Sequence, residues 1–134
     1  MNNDFYEVYT DGGSRGNPGN SAFAFVVRHL NEEKYSSSGY LGIATNNKAE
    51  YQGLLHGLKH IVSEQIQNVK FYSDSELMVK QIKGEYKVKD KDLFELFTQA
   101  KNLISKINNF EIIHVRREKN KQADLLVNKT LDEI

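Results

Sequence analysis

The sequence predicts one α/β domain with a mixed five-stranded sheet, helices on the sheet faces and the element order βββαβααβα. Three observations support this fold class. Segments rich in aromatic and β-branched residues occupy the first third of the chain, segments with the 3.6-residue helical period follow, and two short apolar segments separate those helices. A chain of 134 residues has room for one domain, which we assign to residues 1–134.

Three strands are predicted in the N-terminal third. The segments Phe5 to Thr10 and Ser21 to Arg28 have strand composition, and the glycine-rich segment Gly12 to Gly19 predicts a long loop between them. The more polar stretch Lys34 to Leu41 predicts a third strand near an edge of the sheet. We therefore expect an antiparallel start to the fold.

The first helix is predicted to begin at Asn47. Apolar residues recur at helical spacing from Leu54 to Val62, which predicts a helix of about 17 residues. Asn47 and Glu50 have the spacing of a capping box, in which each side chain satisfies a backbone N–H of the first turn. Glu50 is therefore expected inside the first helix.

The remaining predicted elements are two strands and three helices. Val69 to Ser73 predicts a buried strand, and Ser73-Asp74-Ser75-Glu76 is a capping signal for a short second helix. The amphipathic stretch Asp90 to Ile107 predicts a third helix. Phe110 to Val115 predicts the fifth strand, and a closing helix follows with Asn120 as its N-cap.

The composition excludes several classes of chemistry. The chain has no cysteine, so disulfides, thiolate nucleophiles and Cys-based metal sites are ruled out. No apolar run approaches the roughly 18 residues that span a bilayer, and the N-terminus lacks the pattern of a secretion signal. We therefore expect a cytoplasmic protein, monomeric and without a membrane partner.

The charge is balanced overall but uneven along the chain. Lysine plus arginine and aspartate plus glutamate number 18 each. Lysines are concentrated from Lys80 to Lys91, and cations again from Arg116 to Lys121. Such local patches can hold phosphates even on a neutral protein.

Four acidic residues fall at the predicted boundaries of elements: Asp11 after the first strand, Glu50 in the first helix, Asp74 after the fourth strand and Asp124 in the last helix. Side chains at the carboxyl ends of adjacent strands share one rim of a sheet. Clustered carboxylates need a cation to stay ionised together, and hard oxygen ligands suit Mg²⁺ or Mn²⁺. Taken singly, each residue also has a structural interpretation as a turn, a cap or a charge near a helix terminus.

Five segments of the chain resemble, in order, the signatures of the type 1 ribonuclease H family. They are Tyr9-Thr10-Asp11-Gly12-Gly13-Ser14, Gly16-Asn17-Pro18-Gly19, Thr45-Asn46-Asn47-Lys48-Ala49-Glu50, Tyr72-Ser73-Asp74-Ser75 and Asn120-Lys121-Gln122-Ala123-Asp124. The resemblance runs from about residue 5 to the end, and each motif falls on the element predicted for it. It implies a ribonuclease H-like fold.

The resemblance also implies an activity. Asp11, Glu50, Asp74 and Asp124 would be the catalytic quartet that binds two Mg²⁺ ions, with Mn²⁺ as a substitute. Asp11 would bridge the ions, Asp74 would share in their coordination, Glu50 would lie near a 2′-hydroxyl, and Asp124 would hold the ion on the nucleophile side. The expected reaction is endonucleolytic hydrolysis of the RNA strand of an RNA/DNA hybrid, which leaves 5′-phosphate and 3′-hydroxyl ends.

Substrate contacts are expected from backbone, amide and basic groups. A hybrid must be distinguished by its 2′-hydroxyls and its shape rather than by its sequence. Gly12 and Gly13 are expected to allow close approach of the sugar edge, and Lys87 and Lys89 to meet the DNA backbone. The resemblance implies minor-groove contacts for Asn17, Asn46 and Asn47 and a phosphate pocket at Thr45. Because the connection that carries these two lysines is shorter than in relatives with an extra helix and basic loop, we expect modest affinity for the hybrid.

One departure from the family concerns histidine. Many members carry a histidine in the loop after the fifth strand, but Arg116-Arg117-Glu118-Lys119-Asn120 has none, and this shorter loop resembles the archaeal-like branch. His114 is assigned to the fifth strand with a structural role. Catalysis is therefore expected to proceed without a histidine acid or base.

Three other functions stay open at the level of sequence. A non-catalytic nucleic-acid-binding module would not need four carboxylates, which repel phosphates unless metals intervene. A nuclease of this fold that acts mainly on double-stranded RNA or on DNA would share the same motifs. A scaffold unrelated to nucleic acids remains only if the four carboxylates do not converge.

Overall fold

The computed structural model describes residues 4–134, and its elements follow the predicted order βββαβααβα. The elements are β1 (Tyr6–Arg15), β2 (Gly19–His29), β3 (Glu32–Ala44), α1 (Asn46–Ser63), β4 (Asn68–Ser73), α2 (Glu76–Ile82), α3 (Lys91–Ile104), β5 (Asn109–His114) and α4 (Lys121–Asp132). A 3₁₀ turn, Arg117–Lys119, connects β5 to α4. Within the described residues, none of the helices has the length and apolar character needed to cross a membrane.

The five strands form one mixed sheet in the order β3-β2-β1-β4-β5. The pairs β1/β2 and β2/β3 are antiparallel, whereas β1/β4 and β4/β5 are parallel. The prediction that β3 is an edge strand is therefore confirmed. The parallel pairing of β1 with β4 ends at Thr10 opposite Ser73, so the residues that follow these two positions emerge on the same rim of the sheet.

Helices cover both faces of the sheet. Phe25 and Val27 of β2 belong to the main core with α1, α2 and α3, whereas Ala22 and Ala24 pack against Val127 and neighbouring residues of α4. This division follows from the alternation of side chains along a strand. The small alanines on the second face allow α4 to lie close to the strand that pairs with β1.

The predicted loop Gly12 to Gly19 is wrong in its extent. Strand β1 continues to Arg15 and β2 begins at Gly19, so Gly12 and Gly13 are strand residues paired with β2 rather than a turn. A Cβ on Gly12 would lie 2.1 Å from the carbonyl oxygen of Ala49 in α1. Glycine is present here because α1 approaches the backbone of β1, and glycine composition alone does not distinguish this packing from a turn.

The predicted capping box of α1 is also wrong. The N-cap is Thr45, whose hydroxyl accepts a hydrogen bond from the backbone N–H of Lys48 at 3.3 Å. Glu50 is therefore not a partner of Asn47, and its side chain is buried. This change matters because a capping residue faces solvent, whereas the observed Glu50 faces the sheet rim.

Smaller boundary differences have local causes. Ser75 caps α2 by accepting from the N–H of Met78, so the structural interpretation of Asp74 as an N-cap is wrong. Asp90 caps α3 as the capping rules predict, but that helix ends at Ile104 rather than Ile107. Strand β3 is longer than predicted because its polar ends continue to pair with β2.

Gly53 provides a test of the contact between α1 and β1. A Cβ at this position would lie 2.5 Å from the carbonyl oxygen of Asp11, a backbone atom that cannot rotate away. We expect Gly53→Ala to lower the free energy of unfolding by about 1–3 kcal/mol, measured by urea denaturation. Lys59→Ala, an exposed change in the same helix, should stay within about 0.5 kcal/mol of wild type. Wild-type stability of Gly53→Ala would contradict this close packing.

Candidate active site

Three of the four predicted carboxylates converge. One carboxylate oxygen from each of Asp11, Glu50 and Asp74 lies within 4.8 Å of the others. Asp11 follows the last β1 residue that pairs with β4, and Asp74 follows the last residue of β4, so the parallel pairing places them side by side. Glu50 reaches them because α1 packs directly against Gly12.

Asp124 lies on the wall of the same site but outside the 4.8 Å group. It is in the first turn of α4, and its Oδ1 is 3.6 Å from Nη2 of Arg117. Its charge nevertheless acts on the cluster, since it contributes to the raised pKa of Asp11. The structure therefore brings together three carboxylates of the predicted quartet and places the fourth beside them.

The cluster opens into a cavity of about 380 Å³. Besides the four acids and the two glycines Gly12 and Gly13, the lining includes basic and polar side chains from several parts of the chain. These are Arg15, Asn46, His114, Arg116, Arg117 and Asn128. An acidic centre bordered by cations suits a polyanionic ligand whose charge is partly met by the protein and partly by bound cations.

Burial and mutual repulsion hold protons on the cluster. Asp11 and Glu50 are 5% and 6% exposed. Burial, and then the charges of Asp74 and Asp124, raise the pKa of Asp11 to about 8. Burial, with the charges of Asp11 and Asp74, also raises the pKa of Glu50 well above its usual range. These carboxyl groups cannot all be ionised near neutral pH unless a cation joins them.

The donor set fits a divalent cation. Oε1 of Glu50 is buried, and no hydrogen-bond partner for it exists among residues 4–134. The converging atoms are all carboxylate oxygens, the ligands that hard cations of the Mg²⁺ type prefer. A bound cation would satisfy this orphaned oxygen and offset the repulsion that raises the pKa values of the cluster.

The residues predicted to contact substrate divide into two groups. Gly12, Gly13 and Asn46 line the cavity. Asn17 contacts Asn46 instead, because its Oδ1 accepts a hydrogen bond from the backbone N–H of Asn46 at 3.0 Å. Thr45 caps α1 with its hydroxyl. Asn17 and Thr45 therefore hold the N-terminus of α1 in place beside the cavity.

The other predicted contacts lie outside the cavity. Asn47 is exposed on the first turn of α1. Lys87 and Lys89 are exposed in the segment between α2 and α3, and neither belongs to the cavity lining. The structure therefore does not bring these lysines to the carboxylates.

His114 corrects a prediction. It belongs to β5, as predicted, but the strand ends at His114 rather than at Val115, and the side chain is exposed and lines the cavity. A structural role would require the His114 side chain to be packed into the sheet. Because the side chain is exposed, the predicted structural role is wrong. Strand alternation could not reveal this position, because β5 ends there and the side chain turns to the rim.

Arg117 is a functional candidate that the motifs did not single out. It lines the cavity from the 3₁₀ turn, and its positive charge lowers the pKa values of Glu50 and Asp74 against the opposing effect of burial. The sequence signal was its place in the cationic segment after β5, where the family's loop histidine is missing. The loop thus supplies a cation without supplying a histidine.

Comparisons with known proteins agree with this fold. A family model described as reverse transcriptase-like matches residues 9–130. The bifunctional protein Rv2228c of Mycobacterium tuberculosis is 39% identical over 127 residues, which cover 93% of this chain and 35% of that protein. The chain thus spans about a third of the length of this relative.

Two solved structures are similar over nearly their whole length. RNase H1 from Halobacterium salinarum NRC-1 has a TM-score of 0.93 and 33% identity, and the match covers 96% of this chain and 98% of that one. LC11-RNase H1, solved in complex with an RNA/DNA hybrid, has a TM-score of 0.89 and 36% identity, with 96% and 97% covered.

The mixed sheet and the carboxylates on its rim define a protein of the ribonuclease H-like class. Within this class, the two matches at 33% and 36% identity over nearly complete chains are both to RNase H1 proteins. The chain belongs to the type 1 ribonuclease H family.

The raised pKa of Asp11 predicts a stability effect. An acid whose pKa is raised by folding destabilises the folded state once it ionises, so the metal-free protein should lose stability as pH rises from about 4, the unfolded value, through about 8. In EDTA at pH 8, we expect Asp11→Asn to be more stable than wild type by at least about 1 kcal/mol in the free energy of unfolding. This difference corresponds to a Tm that is higher by several degrees.

Two controls accompany this experiment. At pH 4 the difference in Tm should largely disappear, because Asp11 is then protonated in the folded state and partly protonated in the unfolded state. Asp92→Asn, which alters an exposed carboxylate paired with Lys48, should leave the Tm unchanged or slightly lower. An Asp11→Asn protein no more stable than wild type at pH 8 would contradict the repulsive cluster.

Proposed function

We propose that the chain hydrolyses the RNA strand of RNA/DNA hybrids with the aid of divalent cations, two Mg²⁺ ions or Mn²⁺ in their place. The convergence of Asp11, Glu50 and Asp74 at a cavity open to solvent is the observation that carries the proposal. The hybrid bound to LC11-RNase H1, a relative that this chain matches at 36% identity, supports the choice of substrate.

The four acids would have distinct places in this reaction. Asp11 would contribute to both cations and Asp74 would share in their coordination, since both belong to the cluster with Glu50 and both lie near the charge of Asp124. Asp124, at the cavity wall, would help to hold the cation on the nucleophile side of the reaction. When bound, such cations lower the pKa of an attacking water and offset charge on the phosphate and the leaving oxygen.

Neighbouring groups would orient the RNA strand. Gly12 and Gly13 line the cavity, and Gly13 adds no side chain to its wall beside Val127, so a sugar edge can approach the backbone there. Arg116 and Arg117 line the cavity from a different chain segment and supply positive charge for phosphates. Asn46, held by Asn17, lies at the same opening. These groups suit contacts with backbone and sugar rather than with base edges.

All four carboxylates come from one copy of the chain. Each of the elements that carry them packs on the same sheet, so no second copy is needed to complete the cluster. This arrangement supports a monomer as the active unit.

The proposal is tested with labelled RNA/DNA, RNA/RNA and DNA/DNA duplexes, each with Mg²⁺, with Mn²⁺ and with excess EDTA. We expect cleavage of the RNA strand of the hybrid, products with 5′-phosphate and 3′-hydroxyl ends, and no cleavage in EDTA. Asp74→Asn should lower turnover by at least about 10²-fold while the protein stays folded.

Asp92→Asn is the matched control because it changes an aspartate on the surface of α3 that lies away from the cavity. Its turnover should equal that of wild type. Full activity in EDTA, or products that end in 2′,3′-cyclic phosphates, would exclude the proposed chemistry. Preferential cleavage of RNA/RNA would change the assigned substrate to double-stranded RNA.

Lys87 and Lys89 are proposed to hold the DNA strand outside the cavity. Both are exposed and lie in a lysine-rich connection, which suits phosphate contacts. We expect Lys87→Ala/Lys89→Ala to bind the hybrid more weakly and to flatten the plot of log affinity against log salt by about 0.7–0.9 for each phosphate that is no longer neutralised. Binding is measured by fluorescence anisotropy between about 50 and 200 mM salt.

A second double variant controls for the change in net charge. Lys59→Ala/Lys106→Ala removes two exposed lysines at other places on the surface. It should leave the slope close to that of wild type. Equal slopes for the two double variants would show that Lys87 and Lys89 contact solvent rather than the phosphates of the hybrid.

A further inference from the structure

Asn120 is a buried polar residue that the roles discussed so far leave unused. It lies at the N-cap position of α4 and is 1% exposed. Its side chain makes no capping hydrogen bond to α4. Nδ2 instead donates to the backbone carbonyl oxygen of Thr10 in β1 at 2.8 Å. The amide therefore faces the sheet rim, away from the helix that it begins.

The contacts of Asn120 reach three of the four carboxylates. Thr10 directly precedes Asp11, so the bond to its carbonyl holds β1 at the position of that acid. Burial raises the pKa of Asp74, and the Asn120 amide beside that carboxyl lowers it in part. The backbone carbonyl of Asn120 accepts from the N–H of Asp124 at 3.1 Å. Asn120 thus joins β1 to the N-terminus of α4.

The hydrogen-bonding capacity of the amide fits this orientation. An asparagine side chain has two N–H donors and one carbonyl acceptor. The Thr10 carbonyl accepts from the Nδ2 donor, whereas Oδ1 has no hydrogen-bond partner among residues 4–134. A buried amide that leaves its acceptor unpaired is costly, so a purely structural cap would not select this geometry.

We propose that Asn120 is a positioning residue for the cation site, because its side chain bonds the N-terminus of α4, which carries Asp124, to β1 directly before Asp11. The inference rests on the proposed function, since it assumes that these acids hold divalent cations. Residues that orient metal ligands from behind commonly change metal affinity by 10–100-fold when they are removed. Removal of the Asn120 amide should therefore raise the Kd for the cation while the protein remains folded.

Gln81 provides a matched control. It is also a buried side-chain amide, 4% exposed, and its Oε1 accepts from the hydroxyl of Tyr51 at 2.7 Å. Gln81 does not line the cavity. Gln81→Ala should therefore lower the Tm without a change in cation affinity, which separates general destabilisation from a defect in positioning.

The experiment is calorimetric titration of the metal-free proteins with Mn²⁺ at a temperature where each is folded, together with the Mn²⁺ concentration that gives half-maximal hybrid cleavage. We expect Asn120→Ala to raise the Kd for Mn²⁺ and the half-maximal concentration by about 10–100-fold. Turnover at saturating Mn²⁺ should fall much less. For Gln81→Ala both quantities should stay within about twofold of wild type, since Gln81 bonds the Tyr51 hydroxyl and not the backbone that carries a carboxylate of the cluster.

Each outcome has a separate meaning. If Asn120→Ala does not fold, Asn120→Ser, which keeps one donor, is tested against the same expectation. Wild-type Mn²⁺ affinity in the folded Asn120 variant, or an equal decrease in Gln81→Ala, would overturn the inference while wild-type cleavage still supports the proposed function. A wild-type protein that neither binds Mn²⁺ nor cleaves the hybrid would instead overturn the proposed function.

Discussion

Repulsion among buried carboxylates is the constraint on which the site depends. Asp11 and Glu50 are almost fully buried and lie with Asp74 inside one group of oxygens. Ionised groups placed this way cost free energy unless an opposite charge is present. The fold therefore maintains an arrangement that only a bound cation makes favourable, and the rest of the structure must hold that arrangement against its own repulsion.

Three features of the fold supply this restraint. The parallel pairing of β1 with β4 fixes the two strand ends that carry Asp11 and Asp74. The absence of a Cβ at Gly12 and Gly53 allows α1 to approach β1 closely enough for Glu50 to join them. The N-terminus of α4 is bonded back to β1 through Asn120, which brings the fourth acid to the cavity wall. Each feature lies in the core or at its edge, so packing energy can hold the charges together.

The sequence predicted the order of the elements because apolar periodicity and capping residues are local signals. It predicted the four acids because they fall in spaced motifs at element boundaries. It failed where one residue type serves two purposes. Gly12 and Gly13 were assigned to a loop, but they lie in β1 where a helix packs closely, and Asn47 with Glu50 has capping spacing without forming a cap.

Other parts of the site depend on tertiary geometry. His114 lines the cavity because β5 ends at the sheet rim, and Arg117 lines it because a 3₁₀ turn connects that strand to α4 beside the acids. The side chain of Asn120 turns toward β1 although its position in the chain indicates a helix cap. No local pattern encodes these directions, since each one depends on residues distant in sequence.

Anomalous diffraction from crystals soaked in Mn²⁺ tests the cation site most directly, because it locates cations independently of activity. We predict a strong peak within coordination distance of carboxylate oxygens of Asp11 and Asp74, at about 2.0–2.3 Å, with Glu50 or Asp124 completing the protein ligands. The same peak should be absent in crystals of Asp11→Asn. Peaks only at exposed surface acids, with the cluster empty and its carboxyl groups hydrogen-bonded to one another, would contradict a cation site at the sheet rim.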